Sequence, residues 1–498
     1  MPTEQLVHVE TPYGRVEGLI EGAVRVFRGL RYAQPPQRFQ PAGPLQPWSG
    51  VWDATCHGNS CPQPAWDEVM GLRAPQGPPD EDCLFADVYV PTTPGLKPVL
   101  VWIHGGGFMT GSACQYDASS LAEHADAVVV CINYRLGLLG WLDVSEFGEQ
   151  YRLSGDVWLH DQVASLRWVR DSIRAFGGDP ECVTVMGESA GAASVIALCS
   201  IPEAQGLFHR AVACSPPRFS SDPRPDLLGR LAKRQRKSRQ EAGEWVRHAD
   251  ASELAGLGQL NTLAVQMTAT GPLLTAQLAA AMPTLASPPV PLVAGFTTHE
   301  SDYFLTAGAV SGGWSARLLP LLAKVLARGF AAQVAGSAEA AAAWRRRMRQ
   351  HYGRVPGRAY ADLLLTELFR AGVIPGVLAT TMAGGRGYLY ELDVPCAMAG
   401  RSMRSTHMAD VPLTFRAHTQ SGPGNMSNYV SGDTSRLSDA WVSALSQFAR
   451  TGDPGGPLGA WPVYDSKTRE SLLITLDGAN VVRDRDGAHR RGVWGDAA

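Results

Sequence analysis

Cys182-Val183-Thr184-Val185-Met186-Gly187-Glu188-Ser189-Ala190-Gly191-Ala192-Ala193-Ser194 is the stretch on which the reading of the fold turns. A short apolar, β-branched run ends in Gly-x-Ser-x-Gly, and small residues continue at helix-compatible spacing. A buried strand is therefore expected to bend sharply into a helix with Ser189 at the corner, the geometry of a nucleophile elbow. Gly187 and Gly191 are required where the backbone passes so close to its neighbours that a Cβ would collide, and strain at Ser189 presents its Oγ to a substrate. Gly-x-Ser-x-Gly also occurs in surface loops of long chains; the strand before it and the helix after it select the elbow.

Upstream, Lys97-Pro98 opens Val99-Leu100-Val101-Trp102-Ile103, a run apolar on both faces, as a central parallel strand should be. His104-Gly105-Gly106-Gly107-Phe108 follows at once. Glycines at a strand end let successive backbone N–H groups converge on one point, which is what the oxyanion of a tetrahedral acyl intermediate needs. The N–H groups of Gly106, Gly107 and Ala190 are the candidate oxyanion hole. A phosphate cradle is the competing use of such a loop, but no Gly-Lys-Ser/Thr closes it and no dinucleotide-type glycine spacing follows.

The flanks agree with an α/β alternation. Val7–Val9, Arg15–Gly18 and Val24–Gly29, punctuated by Thr11-Pro12-Tyr13-Gly14 and Glu21-Gly22, predict an antiparallel meander at a sheet edge. From Phe27 to Pro35-Pro36 the chain is expected to leave regular structure, because prolines cannot donate to a ladder. Phe85–Val90 and Ala127–Asn133 read as strands. Leu166, Trp168, Val169 and Ile173 give one apolar helical face that stops at Gly177-Gly178-Asp179-Pro180. Strand, helix, strand, elbow is the signature of a mostly parallel sheet.

With 498 residues, 45% of them hydrophobic and 18% charged, the chain can bury a large core. No linker, repeat or low-complexity tract divides it, so one α/β domain spanning 1–498 is the economical organisation, with helical insertions at about 216–288 and 306–384 shaping a pocket. A net charge of -3 leaves no footprint for nucleic acid. Nine cysteines without a C-x-x-C give no zinc or redox pattern. No metal or organic cofactor is implied. Neither a secretory leader nor an apolar stretch of membrane-spanning length is found, so the expectation is a cytoplasmic protein without stable membrane insertion. The sequence assigns no oligomeric state. Arg230–Arg239 and Arg345-Arg346-Arg347 are strongly basic, and a solvated helical face is the expectation there rather than an acidic partner.

At this point the sequence resembles the type-B carboxylesterase family, the cholinesterase-like branch of the α/β-hydrolases. The likeness is carried by Glu81-Asp82-Cys83-Leu84, His104-Gly105-Gly106-Gly107-Phe108, Asn133-Tyr134-Arg135-Leu136-Gly137, Asp161-Gln162, Phe176-Gly177-Gly178-Asp179-Pro180 and Gly187-Glu188-Ser189-Ala190-Gly191. It is dense from about Val24 to Ser200, thin in the middle, and returns in patches to Asp465. What it implies is an α/β-hydrolase fold and a Ser-His-Glu triad in the chain order nucleophile, acid, histidine. The acid falls just after the strand-like run Val290–Phe296, which selects Glu300, with Asp302 as the alternative and His299 structural or exposed. Among the histidines beyond Ser189, His407 alone sits in the family's His-x-x-acid-x-Pro setting, as His407-Met408-Ala409-Asp410-Val411-Pro412. Cys61 and Cys83 match positions bridged in secreted relatives, and are expected to stay reduced here.

The middle departs from the family. Pro216-Pro217-Arg218 stands where a Ser-Gly turn is usual, and the family's acidic Asp-Gly segment is not recognisable between Gln259 and Pro289. These segments build substrate pockets in relatives, so substrate choice does not carry over. The implied activity is hydrolysis of a small-molecule ester through an acyl-enzyme on Ser189. Trp102, Phe108 and Trp141 adjoin the recognised segments, which predicts a mainly apolar pocket selecting uncharged esters, with aryl carbamates as a slower class. An acyltransferase or a lactone- or ester-forming enzyme would use the same residues. A catalytically silent binding protein of this fold typically lacks part of the triad.

Overall fold

The computed structural model describes residues 5–64, 74–218, 226–257, 289–310, 357–420 and 426–485, with residues 273 and 487 and scattered positions in 339–350. Its frame is a 13-stranded sheet. The meander lies at one edge, where β1 (Gln5–Thr11), β2 (Gly14–Glu21) and β3 (Val24–Arg31) pair antiparallel and β4 (Val51–Asp53) runs beside β2. One expectation is corrected: β3 does not leave its ladder at Phe27. It shifts register between Phe27 and Leu30, continues to Arg31, and ends only as the prolines approach.

The remaining strands are β5 (Phe85–Pro91), β6 (Lys97–Ile103), β7 (Val128–Ile132), β8 (Gly178–Glu188), β9 (Arg210–Cys214), β10 (Leu292–Thr297), β11 (Gly387–Leu392), a separate ribbon of β12 (Cys396–Met398) with β13 (Arg401–Met403), and a closing hairpin of β14 (Glu470–Thr475) and β15 (Gly478–Arg483). The sheet runs in the order β1-β2-β3-β5-β7-β6-β8-β9-β10-β11-β14-β15. From β7 to β14 every neighbour is parallel, while β5 and β15 attach antiparallel.

The alternation of side chains along β6 explains how the sheet is covered on both faces. Val99, Val101 and Ile103 join one core with Trp158, Phe176, Val183 and Val185. Leu100 and Trp102 join the other with Met186, Tyr390 and Trp441. Helices Val157–Ser172 and Ala190–Ser200 contribute to the first core, and Ser435–Thr451 to the second through Leu437, Trp441, Leu445 and Phe448. Each large side chain so buried is worth about 1.5–3 kcal/mol before the cost of ordering it. Gly177 and Gly452, both with left-handed φ (94° and 72°), end the runs that precede them.

Of the region 216–288, the described part holds helices Leu227–Gln235, Arg239–His248 and Ala251–Leu257; of 306–384, it holds the end of Ser301–Val310 and the helix Gly357–Met382. Most of the stretch between Gln259 and Pro289 lies outside the described residues, as does Arg345. Arg230, Lys233, Arg234 and Arg236 are exposed, and Arg239 is tied to Glu146 and Asp226, so this basic run faces solvent. No helix among the described residues is long and apolar enough to cross a membrane. The carboxyl ends of β6, β8 and β10 open on the same side, where sites form in parallel sheets.

Candidate active site

β8 ends at Glu188, and the next residue turns the chain. Ser189 has φ 55° and ψ -122°, a conformation a non-glycine residue holds only when its surroundings impose it. The helix Ala190–Ser200 starts at once, with Ala193 N–H donating to the Ser189 carbonyl at 2.9 Å. Neither motif glycine needs a positive φ; each is required by closeness. A Cβ on Gly187 would lie 2.6 Å from the Gly191 carbonyl carbon, and one on Gly191 would lie 2.0 Å from the Ile103 carbonyl oxygen. Backbone cannot give way there, so only hydrogen fits.

The glycine loop after β6 lies against this elbow. A Cβ on Gly105 would meet Glu188 Oε2 at 2.8 Å and Ser189 Cβ at 3.2 Å, and one on Gly106, whose φ is 99°, would meet the Thr110 carbonyl oxygen at 2.2 Å. Gly107 is also left-handed, at φ 62°. The loop is anchored from below by His104. Its Nδ1 donates to the Gly105 carbonyl at 2.9 Å, and its ring stacks on Tyr134 at 4.5 Å. The Tyr134 hydroxyl donates to the His104 carbonyl at 2.9 Å. Burial pushes the His104 imidazole down to about 4, so it remains neutral and keeps that tautomer. Gly105 thus seats the glycine loop against Glu188 and Ser189, with Gly106 and Gly107 following it in the chain.

Opposite the elbow, Glu300 and His407 meet. His407 Nδ1 is 2.6 Å from Glu300 Oε2. The other carboxylate oxygen accepts from Ser215 Oγ at 2.7 Å and from the Thr297 N–H at 2.8 Å, so Glu300, fully buried, is fixed in orientation. The Tyr429 hydroxyl donates to the His407 carbonyl at 2.5 Å. Asp302 is turned elsewhere: Arg404 grips it through Nε at 2.9 Å and Nη2 at 2.8 Å. His299 is half-buried, and its N–H donates to the Ser405 carbonyl.

His407 Nε2 does not touch Ser189. It lies 3.1 Å from Glu188 Oε1, on the residue next to the serine, and no hydrogen bond joins it to Ser189 among the described residues. Burial alone would lower the imidazole's pKa, but Glu188 and Glu300 beside it prevail and raise it to about 9. Burial in turn pushes the Glu188 carboxyl up, against the opposing pull of His407, and does the same to Asp410, which accepts from the Tyr390 hydroxyl at 2.8 Å.

The sequence reading missed Glu188, Ser215, Asp410 and Phe369. Glu188 could have been marked as the variable position of Gly-x-Ser-x-Gly; Ser215 and Phe369 carry no local signal. It also misplaced the aromatic wall. Trp102, Phe108 and Trp141 are buried in the cores, Trp102 against Phe415 at 4.9 Å and Phe108 against Trp141 at 4.7 Å. The rings against the imidazole are those of Tyr303, Phe304 and Phe369. Pro216-Pro217-Arg218 packs on the helix that bears Phe369: the Arg218 N–H donates to the Leu368 carbonyl at 3.3 Å.

A serine at a strained bend, a glycine loop packed against that bend and a carboxylate-bound imidazole are parts from which acyl transfer can be built. The model of the carboxylesterase family matches residues 5–492. The para-nitrobenzyl esterase of Bacillus subtilis (strain 168) is 32% identical over 496 residues, covering 94% of each chain. The phenmedipham hydrolase of Pseudarthrobacter oxydans is 32% identical over 512 residues, 97% of this chain and 98% of the relative. A solved PNB esterase structure superposes with a TM-score of 0.80 at 28% identity, over 99% of this chain and 100% of the other. Matched over nearly its whole length, this chain belongs to the carboxylesterase family and is a carboxylic ester hydrolase with the α/β-hydrolase fold.

Proposed function

We propose that the chain hydrolyses uncharged carboxylic esters through an acyl-enzyme on Ser189, with His407 as general base, Glu300 as its carboxylate partner, and the N–H groups of Gly106, Gly107 and Ala190 as the oxyanion hole. The observation that carries this reading is the 2.6 Å contact of Nδ1 with Glu300, which commits that nitrogen to donating and leaves Nε2 on the elbow side. When substrate enters, Nε2 gives up any proton it carries toward Glu188 and turns to Ser189 Oγ, where, away from that carboxylate, it can accept; such serine–histidine bonds are often loose in the resting enzyme and tighten in the Michaelis complex. Nε2 takes the serine proton as Oγ attacks the carbonyl carbon, and the carbonyl's electron pair moves onto oxygen, toward the three N–H groups. Collapse expels the alcohol, which receives the proton from Nε2. Water then loses a proton to Nε2, attacks the acyl carbon, and Ser189 leaves with that proton. Base catalysis supplies about 10²–10⁴-fold, and each oxyanion donor about 3 kcal/mol.

Aryl carbamates belong to the proposed substrate range, supported by the relative named for hydrolysing the carbamate phenmedipham. The reading treats the chain as a single α/β-hydrolase domain in which 216–288 and 306–384 shape the pocket, supported by the packing of Pro216 against the helix Gly357–Met382. It assigns the protein to the cytoplasm, where Cys61 and Cys83, both buried and unbridged, would remain thiols. An organophosphonate should add one group at Ser189, located by mass spectrometry, and Ser189→Ala should lose both the label and nitrophenyl ester turnover. Labelling at a different serine would overturn the mechanism.

A further inference from the structure

Three aromatic rings close on the imidazole of His407. The ring centroids of Phe369, Phe304 and Tyr303 lie 4.5, 5.2 and 5.7 Å from it. Phe304 and Phe369 are nearly parallel to each other, inclined by 10° at 6.1 Å. Tyr303 and Phe304 come with Glu300, at the start of the helix Ser301–Val310. Phe369 comes from the helix Gly357–Met382, in the part of the chain where family likeness is thin, and it makes the shortest ring contact of the three.

Its position is determined by backbone on both sides. Next to it, the Leu368 carbonyl accepts from the Arg218 N–H, and one turn later Gly372 runs so close to Pro216 that a Cβ would fall 2.1 Å from its carbonyl oxygen. The ring is 3% exposed, so water does not separate it from the imidazole.

We propose that Phe369 is a positioning residue for hydrolysis: its ring holds the plane of His407 and favours the imidazolium formed when Ser189 gives up its proton. The proposal rests on the assignment of His407 as the base. A ring face carries negative charge density and attracts a cation laid over it, most strongly where water is excluded. The charged groups around the imidazole are Glu188 at the end of β8, Glu300 after β10 and Asp410 at the start of the following short helix, with the Tyr303 and Tyr429 hydroxyl-bearing rings packed alongside. Glu300 fixes one ring nitrogen, and the carboxylates act on the imidazole's charge. A ring in contact acts on the imidazole's plane and on its charge, whereas an aliphatic side chain of similar volume gives the charge no support.

The experiment compares Phe369→Leu, Phe369→Met and Phe369→Tyr with the unaltered enzyme and with His407→Gln, measuring kcat and KM for a nitrophenyl ester across pH, and thermal midpoints. In the Leu and Met variants kcat should fall about tenfold with KM within about twofold, and the acid limb of kcat should move down by about half a pH unit, since the cation loses support. Phe369→Tyr, which keeps the ring, should restore both within about twofold. A normal kcat and acid limb in either folded non-aromatic variant would overturn the proposal. So would a change confined to KM, or a Tyr variant as impaired as Leu at an unchanged thermal midpoint. His407→Gln separates the two levels: if it retains turnover, the triad reading itself falls, whereas an inactive His407→Gln beside a normal Phe369→Leu removes Phe369 alone.

Discussion

A Cβ at Gly191 would fall 2.0 Å from the Ile103 carbonyl oxygen, and one at Gly106 2.2 Å from that of Thr110. Across the site, His407 is held by groups that can be exchanged one at a time: Glu300 at Nδ1, Ser215 behind Glu300, Tyr429 at the carbonyl, and Phe304 and Phe369 against the ring. The serine and the glycine loop are thus placed by backbone lying on backbone, where any added atom has nowhere to go. The imidazole is placed by a sum of side-chain contacts, each worth a part of the whole. Changes on the first side should act as all or nothing, and changes on the second should be graded.

The largest effect is expected from Gly191→Ala, because the obstructing atom belongs to β6 rather than to a movable side chain. Stability should drop by about 3 kcal/mol or more, read as a lower thermal midpoint, and phosphonate labelling of Ser189 should be lost. A stable variant labelling at the normal rate would break the contrast at its stronger end. Next comes Glu300→Gln, which should lower kcat about 10³–10⁴-fold by undoing the tautomer of His407 and should also lower the thermal midpoint, because a buried charge pair is broken. Asp302→Asn serves as its counterpart. It weakens the grip of Arg404 on a buried carboxylate that also accepts from the Arg404 N–H, so stability should fall by about 1–3 kcal/mol, while kcat should change by less than about twofold. If the two carboxylates ranked the other way in kcat, the role would pass to Asp302.

A smaller, directional effect is expected at Glu188. With its charge removed in Glu188→Gln, less opposes the lowering effect of burial on His407, so the acid limb of kcat/KM should move to lower pH. Stability carries the same sign. His407, raised from 6.5 to about 9, contributes stability that is complete below its ordinary value and lost as pH climbs through about 9. Glu188, also raised, likewise binds its proton more tightly when folded, and its contribution also fades with rising pH. Urea unfolding of the unaltered protein should therefore weaken from pH 6 to pH 9 more than that of Glu188→Gln; equal slopes would remove Glu188 from the electrostatics of the site. The smallest effect sharpens the glycine argument. Gly256 lies in the helix Ala251–Leu257 with open space where a Cβ would go, so Gly256→Ala should add about 0.5–1 kcal/mol and leave activity alone.

The same contrast separates what the sequence made legible from what it did not. β6, the glycine loop, β8 and the Ser189 bend could be read because backbone crowding imposes residue types locally, glycine above all, and leaves them in a row. Glu300 and His407 lie far apart in the chain; only the family resemblance selected them, and the structure brings them to 2.6 Å. Ser215 and Phe369 act through contacts across the sheet and between helices, which no spacing rule registers. Trp102, Phe108 and Trp141 were misassigned to the pocket because nearness along the chain does not decide on which side of a strand or loop a ring settles. Strand β9 and the closing β14–β15 hairpin also went unassigned. β9 is a short run with no turn signal of its own, whereas Asp477-Gly478 between β14 and β15 is a hairpin signal that the reading passed over.

The order of the chain within the sheet has a consequence during synthesis. Strands β1 to β9 pair among themselves up to Cys214, and the bend at Ser189 rests on β6, the glycine loop, β9 and its own helix. Ser189 and its glycine loop leave the ribosome well before His407, but β6 packs through Leu100 and Trp102 on Phe415 and Trp441, so the corner is covered only when that later segment docks. In that interval the hydroxyl has no group to take its proton. Chemical competence arrives late, with the docking of the segment that follows β13, and a chain terminated short of it has a serine without a base.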